Sequence, residues 1–226
     1  MEPAREIRKL QAFRSRFLFL FICIVLWFIL RPFLEGSLEA LALSGIFFSF
    51  FFLACLYAVS QTRRAFLVAL GLGVPSIGAV WLGVFLENSF LQIFGAILQI
   101  IFWAYILVII LSRLVRARKV TRDTIMGAAC AYFLIGFAWS FVFFVVEFVS
   151  PGAFSFPHPG ARGIKEFIYF SFVTLTTLGF GDITPVSDPA RSLTVLEAAL
   201  GQLFIAIMIS FLVGSYLSRS RKDESN

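Results

Sequence analysis

The chain has 226 residues, 60% hydrophobic and only 14% charged, with a mean hydropathy of +0.93, which excludes a water-soluble globule of ordinary composition. Its net charge of +6 does not mark a nucleic-acid binder, because the basic residues stand in the connections between apolar runs. A single histidine, three cysteines without metal-ligand spacing and no paired carboxylates give an intramembrane enzyme or a metal centre nothing to be built from.

Several apolar runs reach the roughly 20 residues that a membrane-crossing helix needs. Arg5, Arg8, Lys9, Arg14 and Arg16 form a basic lead-in suited to the lipid headgroups of a cytoplasmic membrane surface. The first span is predicted over residues 15–30. It reads as a retained helix, since no small-x-small cleavage site follows and Arg31-Pro32 comes next. The second covers 37–59 and stops at Gln61-Thr62-Arg63-Arg64. The third covers 65–86, with Gly71, Gly73 and Pro75 expected to kink it. The fourth covers 89–111. Arg113, Arg116, Arg118, Lys119 and Arg122 then form a basic connector, expected as a helix lying on the inner surface with solvated charges. The fifth span covers 124–149. A Pro- and Gly-rich outer loop carrying His158 runs to residue 163. An apolar run over 164–176 precedes a turn through Thr184-Pro185 and Asp188-Pro189, and the sixth span covers 190–217. Cys23, Cys55 and Cys130 lie inside apolar runs and read as small buried side chains.

Six spans put both termini on one side. The inner connections and tails then hold fifteen of the nineteen basic residues, and the outer side holds Arg31, Arg162, Lys165 and Arg191. That asymmetry satisfies the positive-inside rule with both termini cytoplasmic. The run over 164–176 is only roughly 20 Å long as a helix, too short to cross, and is predicted to be re-entrant. The expected fold class is an all-α membrane protein with six transmembrane helices, a re-entrant helix and the loop that follows it. Its two parts are residues 1–120, a four-helix transmembrane domain, and 121–226.

The loop is Thr176-Thr177-Leu178-Gly179-Phe180-Gly181-Asp182. Glycines alternating with bulky residues let the backbone turn successive carbonyl oxygens to one side, and a row of carbonyls can replace the water shell of a cation. Thr177, Leu178, Gly179 and Phe180 are the expected cation ligands, Gly181 ends the row, and Asp182 caps the outer mouth. The re-entrant helix would aim the negative end of its dipole at a central cavity. One such strand cannot surround an ion and the chain has a single copy, so four chains around an axis, a homotetramer, are required.

Ser171-Phe172-Val173-Thr174-Leu175-Thr176-Thr177-Leu178-Gly179-Phe180-Gly181-Asp182-Ile183-Thr184-Pro185 resembles the pore loop of the tetrameric potassium channel superfamily. With four spans ahead of it, the chain is similar to six-transmembrane, prokaryotic-type members. The specific likeness covers about residues 147–214. It implies a potassium channel of a plasma membrane, of the bacterial cytoplasmic kind, with K⁺ as permeant ion and no cofactor. It also implies filter support from Glu147, Tyr169, Val173, Thr174 and Glu197, with Tyr169 and Phe170 at the aromatic positions around the filter. Gly201 would be a hinge in the sixth span. Gln202, Ile205, Ile209 and Val213 would line the cavity and gate, unless some of them pack on the fifth span. Glu197, an ionisable residue inside a span, is either functional or a satisfied buried acid, with Thr174 or Ser171 as hydroxyl partner. Two positions depart from the family: Leu178 stands for valine or isoleucine, and Phe180 for the commoner tyrosine.

A voltage sensor needs charges inside the field, at about 2.3 kcal/mol per charge per 100 mV. The fourth span has no Lys or Arg from 89 to 112, so weak or absent voltage gating is expected. Nine residues follow the last span, so nucleotide or Ca²⁺ control would call for a separate regulatory subunit. The alternatives are a non-selective cation channel, a K⁺ transporter subunit, which would usually carry four pore-loop repeats, and a non-conducting modulatory subunit.

Overall fold

The computed structural model describes residues 16–30, 33, 50–60, 62–117, 120–157 and 163–224. Among these, the chain forms helices α1 (Arg16–Leu30), α2 (Phe50–Val59), α3 (Arg63–Phe85), α4 (Ser89–Arg116), α5 (Arg122–Val149), α6 (Ile164–Leu175) and α7 (Asp188–Glu224). A two-residue antiparallel ribbon pairs β1 (Phe154–Ser155) with β2 (Thr184–Pro185), Phe154 opposite Pro185 and Ser155 opposite Thr184. Four helices, α3, α4, α5 and α7, are long and apolar enough to cross a membrane; α1 and α2 are apolar but shorter over the described residues. The predicted second span begins at residue 37, and its residues 37–49 lie outside the described residues.

The breaks between helices follow from local chemistry. Asn88 caps α4, its side-chain oxygen accepting the amides of Phe90 at 3.0 Å and Leu91 at 3.2 Å. Glu87 before it takes a left-handed φ of 49° that reverses the chain. Gly83 and Gly95 then let α3 and α4 meet closely: a Cβ on Gly95 would lie 2.9 Å from the Val80 backbone nitrogen, and one on Gly83 2.8 Å from that of Gln92. Pro75 sits inside α3, which continues through it. Thr121 and Thr124 start α5 with a reciprocal capping box, each hydroxyl accepting the other's amide at 3.2 Å.

The core is aromatic and joins the four N-terminal helices to α5 and α6. Trp103 of α4 stacks on Phe51 of α2 and on Phe137 of α5, with centroids 5.2 and 5.6 Å apart. Phe137 meets Trp27 of α1 at 5.3 Å and Phe172 of α6 at 5.5 Å. Phe28 and Phe133 also flank Phe172. Each such pair adds about 0.5–1.5 kcal/mol beyond its area burial. Phe172 fits because Gly136 of α5 lacks a side chain: a Cβ there would fall 2.7 Å from the ring.

The ends of α2 and α4 correct one expectation. α4 runs to Arg116, past the predicted end at 111, so Arg113 belongs to that helix. Its guanidinium is half-buried and donates to the Ala58 and Val59 carbonyls at the end of α2, instead of lying solvated on the membrane surface. Carbonyls at a helix end lack intrahelical partners, and a cation satisfies both their hydrogen-bonding need and the dipole. Arg16 of α1 donates to Ser60 at 3.2 Å and lies over the Tyr57 ring. Asp123 of α5 accepts the α1 amides of Phe17 at 3.0 Å and Leu18 at 3.3 Å. Arg118 and Lys119 lie outside the described residues. Arg113→Ala is expected to cost about 1–2 kcal/mol, the loss of charge-assisted bonds at a half-buried helix end, measured as a lower unfolding midpoint in detergent, with Arg113→Lys intermediate.

Candidate functional site

α6 is held between α5 and α7. Phe167, Phe170, Val173 and Leu175 are buried, the helix packs against α5 and α7, and it ends at Thr176. The loop that follows folds back on the helix it leaves. The Thr177 amide donates to the Thr174 carbonyl at 2.9 Å, and the amides of Leu178 and Gly179 converge on the Val173 carbonyl at 2.9 and 3.3 Å. Thr176 donates to the Phe172 carbonyl from its amide at 3.1 Å and its hydroxyl at 2.6 Å. The Leu175 carbonyl accepts the Tyr132 hydroxyl of α5 at 2.9 Å. The last four carbonyls of α6 therefore fasten the loop and α5, where the sequence alone points their dipole simply at a cavity.

The loop's backbone alternates in hand. Thr177, Gly179 and Gly181 have φ of 60°, 58° and 78°, while Leu178 and Phe180 between them do not adopt positive φ. Alternating hand turns successive peptide groups the same way. With the Leu178 and Gly179 amides turned onto Val173, the Thr177 and Leu178 carbonyls on the same trans peptide planes point away from it. Residues 176–182 are exposed in the single chain.

A scaffold around Glu147 sets the outer end of the loop. This buried carboxylate accepts the amides of Gly152 and Phe154, each at 3.0 Å, and so fixes the start of β1. The ribbon ties β1 to β2, and the Ala153 carbonyl takes the Val186 amide at 2.8 Å. Ile183, one residue past Asp182, is buried with Phe143, Phe154, Phe167 and Phe170 beneath the ribbon. Glu147 thus reaches the loop mouth through the ribbon. Tyr169 stacks against Phe180, with centroids 6.5 Å apart and planes 10° apart. Phe170 turns into the outer apolar cluster, away from Phe180.

α7 presents two faces. Gly201 is buried, and a Cβ on it would stand 2.4 Å from the Leu175 carbonyl oxygen, so its bareness serves a close approach to the pore helix. Phe204 and Met208 pack toward the core. Gln202, Ile205, Ile209 and Val213 are exposed, and the Gln202 amide lies 3.4 Å from the Thr177 hydroxyl. Glu197 is buried and meets Ser171, not Thr174. Of the predicted residues, the structure brings together Tyr169, Val173, Thr174, Thr177–Asp182 and Gln202 at the loop, with Glu197 behind it. Sequence reasoning missed Tyr132, Gly136 and Phe172. Tyr132 left a trace as a polar-tipped ring inside an apolar span, while nothing in the sequence separates Gly136 from other helical glycines.

Glu147→Gln turns an amide N–H toward backbone amides that need an acceptor. It is expected to cost about 1–3 kcal/mol, seen as a lower unfolding midpoint and faster loss of activity. Gly201→Ala forces the Leu175 carbonyl to move, an overpacking cost of about 1–3 kcal/mol, checked by the same unfolding assay alongside Gly214→Ala, whose Cβ meets nothing within 4 Å.

Residues 128–218 match the family model described as "Ion channel". Two pore potassium channel c of Oryza sativa subsp. japonica is 33% identical over 67 residues, covering 30% of this chain and 15% of that protein. Potassium channel, subfamily K, member 16 of Mus musculus is 36% identical over 69 residues, covering 27% of this chain and 23% of that protein. The chain thus spans less than a quarter of the length of these curated relatives. No solved structure gives a significant match. The likeness to ion channels thus rests on residues 128–218, and the relatives named here are potassium channels matched over short stretches.

Proposed function

We propose that four copies of this chain surround a central axis and conduct K⁺ passively through the loop over Thr177–Gly181. The observation that carries this reading is the alternation of hand at Thr177, Gly179 and Gly181, with the amides drawn onto Val173. That arrangement leaves a row of carbonyls facing away from the pore helix, and a row replaces a hydration shell only when several strands converge. Each chain supplies one strand, and the exposed faces of the loop and of α7 are the surfaces that symmetric copies would cover. The carbonyls of Thr177, Leu178, Gly179 and Phe180 hold the ions and Asp182 adds negative charge at the outer mouth. Gln202, Ile205, Ile209 and Val213 line the cavity below, where an apolar ring can gate by dewetting.

In this reading the pore lies in a plasma membrane with both termini on the cytoplasmic side, which the distribution of basic residues supports. Voltage dependence is weak in this reading: α4 has no basic residue from 89 to 112, and Arg113 is committed to the end of α2. A second reading, a less selective cation pore, draws on Phe180, whose ring stacks on Tyr169 but offers no hydroxyl to hold the filter.

Purified protein in planar bilayers under opposed K⁺ and Na⁺ gradients is expected to reverse near the K⁺ equilibrium potential, with conductance nearly flat in voltage. Reversal that tracks Na⁺ equally supports the less selective pore. A tenfold rise in conductance over a few tens of millivolts would need several gating charges per subunit, at about 2.3 kcal/mol each per 100 mV, and would sink the sensorless reading.

A further inference from the structure

Three hydroxyl and carboxyl groups meet behind the loop, and their protons do not add up unless one side chain is neutral. The Ser171 hydroxyl of α6 lies 2.8 Å from the Gly136 carbonyl oxygen of α5 and within hydrogen-bonding distance of Glu197 Oε1 on α7. The same Gly136 carbonyl accepts the Ser140 hydroxyl at 2.7 Å. A carbonyl can only accept, and an ionised carboxylate can only accept. Ser171 has one proton and cannot give it to both neighbours. Were it given to an ionised Glu197, two bare oxygens would face each other at 2.8 Å across the Ser171–Gly136 contact.

We propose that Glu197 is a neutral carboxylic acid and a positioning residue for the filter. Its Oε1 hydroxyl donates to Ser171, and Ser171 donates onward to Gly136. One directed relay then joins α7, α6 and α5 at the level from which the loop departs.

The surroundings agree. Glu197 is fully buried, and its other oxygen, Oε2, has no hydrogen-bond partner. A charged carboxylate with one bare oxygen in an apolar site pays a large desolvation penalty, whereas the carbonyl oxygen of an acid tolerates it far better. Among the described residues, Glu197 has no Lys or Arg as an ion-pair partner. Tyr132 of α5 already gives its proton to the Leu175 carbonyl and cannot supply the missing one. The relay fixes α6 from behind while Val173 holds the loop from the front, so losing the acid proton releases the helix whose carbonyls orient the filter.

The test uses the full chain in lipid and reads the acid itself. Infrared spectroscopy of the wild type is expected to show a protonated carboxylic-acid carbonyl band that Glu197→Gln removes. Glu197→Gln keeps an N–H donor and a carbonyl in the same places. It is therefore expected to retain K⁺ current and thermal stability within about threefold of wild type, while Glu197→Leu loses about tenfold or more in current, as for one buried hydrogen bond left unmade. Absence of the acid band, or a Glu197→Gln protein as impaired as Glu197→Leu, overturns the proposal. The band and the unfolding midpoint are read whether or not K⁺ passes. Failure of the selectivity reading is thereby kept separate, and if Glu197→Leu does not fold, the band and Glu197→Gln still decide.

Discussion

The carbonyl oxygen of Val173 is the fixed point on which the shape of the loop over residues 177–181 depends. It takes the amides of both Leu178 and Gly179, and alternating the hand of the backbone is one way to converge successive amides on one oxygen. Thr177, Gly179 and Gly181 provide that alternation. Two of the three are glycine, which enters the left-handed region without steric penalty. The third, Thr177, pays a modest strain that its own bond to Thr174 helps to hold. The direction of the outward carbonyls is thus set by what their amides do on the far side.

This arrangement needs a rigid back wall, and the rest of the molecule supplies it in layers. Phe172 sits in a cage of Phe28, Phe133 and Phe137. Through Phe137 and Trp103 that cage continues into α2 and α4. The N-terminal helices therefore share a core with the pore helix of their own chain instead of standing apart as a loosely tethered unit. At the inner end, Arg113, Arg16 and Asp123 tie α4, α1 and α5 to neighbouring helix ends, so motion of any one is felt by the others.

How much of this was legible in the sequence depended on the range of the interaction. The membrane class and the pore loop could be read because they rest on local patterns: apolar run length, glycine alternation, and a helix too short to cross. The loop's alternating hand was foreseeable from Gly179 and Gly181. Glu147 was recognisable as a brace, but its route through Gly152, Phe154 and the ribbon was not, because a two-residue strand has no period to detect. Arg113 was misjudged because basic residues at helical spacing look the same whether they face water or cap another helix. Ser171, as Glu197's partner, could be named only as one of two hydroxyls, since sequence separation across three helices carries no distance. The second span is supported only over Phe50–Val59.

Gly136 and Gly201 grip the pore helix from opposite neighbours, one against the Phe172 ring and one against the Leu175 carbonyl itself. Contacts of long side chains yield to pressure by changing rotamer, but a backbone-to-backbone stop has no such compliance. When a bilayer thins or thickens, helices answer by tilting, at a cost of fractions of a kcal/mol per Å of mismatch. With a hard stop at Gly201, such tilting must pivot about the pore helix instead of sliding along it. In the proposed channel, the far half of α7 would then swing with membrane thickness while the level of the loop over residues 177–181 stays constant.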